Sequence, residues 1–116
     1  MVTKKRGVIP IYDIQFNVLV ATTQEEAEKE CPLCRDKSMM GVTIYNKDLR
    51  NITILIYSHT PNSVIAHECE HAKNMVWKLI GYIPNTTEDE TDAYLMEYLF
   101  RQVEGALDKH RQKTVE

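Results

Sequence analysis

Two histidines four residues apart, His67 and His71, with Glu68 directly after the first, are the residues of this chain best placed to do chemistry. On a helix, positions four apart lie on one face about a turn from each other, so their imidazoles can converge on a single cation. A carboxylate beside the first histidine falls at the flank of that face, within reach of a water on the cation. This is the H-E-x-x-H arrangement of zinc hydrolases, with His67 and His71 as ligands and Glu68 as general base. A chance pair of surface histidines is the plain alternative. It is weakened by the chain holding only four histidines in all, two of them inside a well-formed helical pattern.

A catalytic zinc usually takes three protein ligands and keeps one position for water. The acidic stretch downstream offers Glu88, Asp89, Glu90, Asp92 and, further on, Glu97. Glu90, Ala93, Tyr94 and Glu97 share a helical face, and a residue as small as Ala93 lets two helices approach closely. Glu90 is therefore the expected third ligand, its competing role being a capping box with Thr87. Asp92, Glu88 and Glu97 stay open as alternatives, as do His59 and His110. His59 precedes the helix in a loop and reads more simply as a surface histidine. Carbonyl hydrolysis also needs a donor for the developing oxyanion, for which Tyr94, Tyr82 and His59 are the candidates.

Several elements must hold these groups. Ser58 to Ser63 contains Thr60, Pro61 and Asn62, which is helix-start chemistry, and Gly81 followed by Pro84 is a stop. A helix over about 61–80 results. Ile65, Cys69, Ala72, Val76, Leu79 and Ile80 form its apolar stripe, which should pack on a sheet, while His67, Glu68, His71 and Met75 lie to the other side. Trp77 falls off the stripe, suited to a helix contact or a partner surface. A second helix over about 87–108 repeats Leu95, Leu99, Val103 and Ala106 at helical spacing. Upstream, Ile14, Phe16, Val18 and Val20 alternate as a strand, and Thr22 or Thr23 with Glu25 or Glu26 caps a short helix that Pro32 ends. Gly41–Tyr45 and Ile52–Tyr57 flank a polar connection as a hairpin. The strand 52–57, just ahead of the active helix, is expected to be a sheet edge able to take an extended peptide by strand addition.

Composition bounds the rest. At 116 residues and a net charge of −3, the chain is one domain with no electrostatic footprint for nucleic acid. Residues 1–7 read as a mobile basic tail and 109–116 as a polar fray. No stretch resembles a signal peptide or a bilayer span, and three cysteines point to a reducing cytoplasm. Cys31-Pro-Leu-Cys34 reads as a structural turn: a zinc knuckle needs two more ligands, and a redox motif expects a βαβ context. Cys69, on the apolar stripe, should be buried.

Together, His67-Glu-Cys-Glu-His71-Ala, Gly81-Tyr-Ile and Glu90-Thr-Asp-Ala-Tyr94-Leu resemble the small zincin-type metallopeptidases of bacteriophages and prophages, of the glutamate-ligand (gluzincin) kind. The likeness covers about residues 8–105, an opening Ile-Pro-Ile-Tyr strand included. It implies an α+β, minimal zincin-like fold, a small sheet packed against the H-E-x-x-H helix and a C-terminal ligand-bearing helix. It also implies Zn2+ as cofactor, Glu90 as third ligand and a peptide or protein substrate. Larger gluzincins often carry an acid four residues after the ligand glutamate; here that position is Tyr94. The expectation is thus a zinc-dependent hydrolase, most simply a metallopeptidase. The alternative is a weak or inactive zinc-binding phage protein that serves assembly, regulation or binding of a protein partner.

Overall fold

The computed structural model describes residues 1–31 and 40–115. Among these residues the chain is α+β, a four-stranded mixed sheet with three helices. The strands are β1 (Val2–Ile9), β2 (Ile14–Ala21), β3 (Gly41–Asn46) and β4 (Asn51–Tyr57). The helices are α1 (Gln24–Glu30), α2 (Asn62–Ile80) and α3 (Glu90–Val115). The spatial order is β1-β2-β4-β3, antiparallel at both outer pairs and parallel between β2 and β4.

Alternation along the strands decides which helix covers which face. Ile14, Phe16, Val18 and Val20 of β2, with Ile52, Ile54 and Ile56 of β4, form one core with α2 and α3. Leu19, Ala21, Leu55 and Tyr57 face the other way and pack with Ala27 of α1. On α2, Ile65, Cys69, Ala72 and Val76 are fully buried, as the stripe requires, with Leu79 and Ile80 at its margin. Trp77, off that stripe, is buried as well and reaches toward α3.

The local signals behave as their chemistry dictates. Thr23 caps α1, its hydroxyl accepting from the Glu26 amide and donating to the Glu26 carboxylate. Gly81 ends α2 in the left-handed conformation, φ 72°, and the Tyr82 amide closes on the Trp77 carbonyl at 2.9 Å. Cys31 closes α1 through its amide to Ala27; Cys34 lies outside the described residues.

Four expectations are corrected. Residues 1–7 supply most of β1, because pairing with β2 satisfies their backbone and Thr3 is drawn into the interior by His110. The C-terminal segment continues α3 to Val115, anchored by His110, which is fully buried between the hydroxyls of Thr3 (2.8 Å) and Thr22 (3.0 Å). Of Ile9-Pro10-Ile11-Tyr12 only Ile9 is strand, the last residue of β1; Pro10, Ile11 and Tyr12 belong to the turn into β2, with Ile11 at φ 76°. Finally, β4 is interior, between β2 and β3, so the strand edge on this side belongs to β3.

No helix among the described residues is long and apolar enough to cross a membrane.

Candidate functional site

Helix α2 carries His67 and His71 on its solvent face and Glu68 on the flank that meets β3. The imidazole rings stand edge-on, centroids 4.7 Å apart, and their Nε2 atoms are 3.1 Å from each other. Zinc–imidazole bonds of about 2.0–2.1 Å at a tetrahedral angle would set two such nitrogens roughly 3.4 Å apart. The pair thus needs to open by only a few tenths of an ångström to share one ion. Without an ion, the same approach is a hydrogen bond in which one Nε2–H donates to the other ring.

Glu68 is held differently. It is buried, and its Oε1 accepts from the Thr43 hydroxyl at 2.7 Å, while the same hydroxyl lies 3.0 Å from its backbone carbonyl. Gly41 makes room for it: a Cβ there would stand 3.2 Å from Glu68 Cγ and 3.4 Å from the Leu55 carbonyl. Sequence reading missed both β3 residues. The signal was present as a glycine opening a strand, which often marks close approach by another group.

The third donor is not assembled with the pair among the described residues. Glu90 is the first residue of α3 and is exposed. Among the described residues, no third His, Cys, Asp or Glu makes a metal-holding group with His67 and His71. The competing capping box does not form either, since the Thr87 hydroxyl and amide both donate to Asn85 Oδ1. α3 therefore begins at Glu90 rather than 87, which leaves the Glu90 carboxylate without a capping role. Asp92, the nearest alternative, is committed elsewhere: Oδ2 accepts from Lys73 and Oδ1 from the Trp77 indole, both at 2.7 Å. Burial alone would raise the Asp92 carboxyl, but these two bonds and the Lys73 charge outweigh it and hold it below the usual carboxylate range. Burial likewise disfavours the Lys73 ammonium, and the bonds to Asp92 and Glu70 more than reverse that.

The remaining candidates are scattered. His110 lies in the interior against β1 and β2, where burial, then the N-terminal amino group and Lys113, push its pKa down. His59 is exposed and stacks on Tyr57 with centroids 5.7 Å apart. Tyr94 is 65% exposed. Tyr82 is half-buried against Trp77, centroids 4.5 Å apart. Cys69 is buried as expected, its thiol pushed up to about 12 by burial and by the neighbouring Glu68 charge.

Beyond His71, the same helical stripe continues through Met75 and Lys78. There it borders an open groove of about 680 Å³ that reaches Trp77, Tyr82 and Ile83. Comparison with family models, curated proteins and solved structures gives no match.

Proposed function

We propose that this protein is a zinc-dependent hydrolase, in its simplest form a metallopeptidase, with His67, His71 and Glu90 as the metal's ligands. The observation that carries the reading is the convergence of the His67 and His71 nitrogens, 3.1 Å apart on an exposed face, beside a buried and oriented Glu68. When bound, zinc supplies a Lewis acid that makes a water acidic and polarises a carbonyl. The work of the chain's own residues follows from their positions. Glu68 takes the proton from the attacking water and returns it to the leaving amine; the Thr43 hydroxyl keeps the carboxylate in one rotamer while it does so. Glu90, at the exposed start of α3 and without a capping bond to Thr87, is the third ligand in this reading. The tyrosine hydroxyls of Tyr94 and Tyr82 are the donors available to a developing oxyanion.

The sheet supports a peptide as the substrate class. β3 is an edge strand beside Glu68, so an extended peptide added to it would bring its backbone to the base.

A second reading, a zinc-binding protein with little or no hydrolysis, has one observation in its favour. Among the described residues neither histidine has a partner for its second ring nitrogen, and such partners usually fix ligand orientation. Zinc stoichiometry and peptide cleavage separate the two. Glu68→Gln should bind zinc as the wild type does and lose cleavage. Zinc bound equally by wild type and His67→Ala would refute the metal site; zinc bound with no cleavage of any peptide by the wild type would favour the second reading.

A further inference from the structure

The groove beyond His71 is continuous with the metal-binding stripe, and His71 itself is among the residues that line it. Met75 and Trp77 form its floor, Tyr82 and the 88%-exposed Ile83 its far wall, and Lys78 its rim. Its volume, about 680 Å³, lies within the range of small-ligand sites. The floor is rigid for a surface feature. Trp77 is pinned by its indole bond to Asp92, by Tyr12 edge-on from the β1–β2 turn (6.0 Å) and by Tyr82 (4.5 Å). Lys78 has no acidic partner among the described residues, whereas nearby Lys73 has two.

We propose that this groove is a specificity site for peptides, receiving a bulky apolar side chain beside the bond presented to His67 and His71. This rests on the hydrolase reading above and extends it to a substrate class: peptides with a leucine-like residue followed by an acidic group or a free carboxylate. The apolar floor supplies most of the selectivity, since burying a leucine rather than an alanine side chain favours binding by about ten-fold or more. Lys78 adds charge selectivity of a few-fold at most, because an exposed ion pair is worth little. The α-helical rise separates His71 from Lys78 by about 10 Å, the span of roughly three residues of extended peptide.

Trp77 is the only tryptophan in the chain, so its fluorescence reports occupancy of the groove directly. The test uses zinc-free full-length protein titrated with four blocked peptides, Ala-Leu-Asp, Ala-Leu-Lys, Ala-Ala-Asp and Ala-Ala-Lys. Ala-Leu-Asp should bind about ten-fold or more tighter than Ala-Ala-Asp, and a few-fold tighter than Ala-Leu-Lys. Ile83→Ser, at an exposed position that does not threaten folding, should weaken the leucine peptides several-fold, and Met75→Ala should do the same. Equal affinity for leucine and alanine peptides would overturn the proposal, as would leucine selectivity that survives both substitutions. Because the titration needs no metal, it fails or succeeds separately from hydrolysis. Selective binding without cleavage by the zinc-loaded protein would leave the groove standing and remove the hydrolase.

Discussion

Removing the Asp92 carboxylate tests whether the start of α3 is clamped to α2 by buried polar bonds. Asp92 accepts from the Trp77 indole, 3% exposed, and from Lys73, 7% exposed. In Asp92→Ala the indole N–H is left buried without an acceptor, which costs about 1–3 kcal/mol. Lys73 keeps Glu70 at 3.0 Å, an exposed partner, so its loss is smaller, about 1 kcal/mol. The total is about 2–4 kcal/mol, which for a chain of this length lowers Tm by roughly 8–16 °C. Asp92→Asn keeps an acceptor for the indole but turns an amide NH2 toward Lys73, losing that bond with the charge, for about 1–2 kcal/mol. Urea unfolding at pH 7, followed by Trp77 fluorescence and circular dichroism together, measures both variants. The clamp is also pH-dependent. Asp92 has a depressed carboxyl in the folded state, so its contribution is complete above the unfolded value of about 3.9 and is lost as pH falls through the folded value. Asp92→Ala within about 0.5 kcal/mol of wild type would refute the clamp, because a surface substitution falls in that range.

Three further outcomes are expected. His110 has a lowered pKa in the folded state, so stability should be unaffected above about pH 6.5 and fall by up to about 1.4 kcal/mol per unit below it; His110→Gln, compared with wild type across pH 4–8, should lack that component, and identical pH profiles would show that the buried ring does not resist charging. Gly41→Ala should displace Glu68 by a few tenths of an ångström, and Thr43→Val should remove its hydroxyl donor; both are expected to cut peptide cleavage by about ten-fold while changing Tm little, and unchanged turnover in Thr43→Val would show that the hydroxyl does not orient the base. Zinc affinity should be abolished in His71→Ala, fall about ten-fold or more in Glu90→Ala and stay unchanged in Glu97→Ala, measured by competition with a chelating dye; loss in Glu97→Ala instead would move the third ligand about two turns down α3.

What was legible in the sequence was local. The four-residue spacing of His67 and His71 places both rings on one side of any helix, and the caps at Thr23 and Gly81 act through bonds that span three to five residues. The core stripe of α2 and the alternation in β2 follow from helical and strand periods alone, and so the α+β class was readable without coordinates. Strand order was not. Periodicity says that residues 52–57 form a strand but carries no information on its neighbours, and pairing placed β4 inside the sheet and β3 at its edge. The basic residues of β1 read as a solvated tail because an edge strand is half exposed, and only His110, more than a hundred residues away, explains why Thr3 is buried. The polar partners at the site are of the same kind. Thr43 on Glu68 and Lys73 and Trp77 on Asp92 are long-range bonds, chosen by packing among several acids and hydroxyls that the sequence leaves equivalent. Residue types and spacing thus determined which chemistry this chain can attempt, while tertiary packing decided which carboxylate is oriented, which is neutralised, and which stays free.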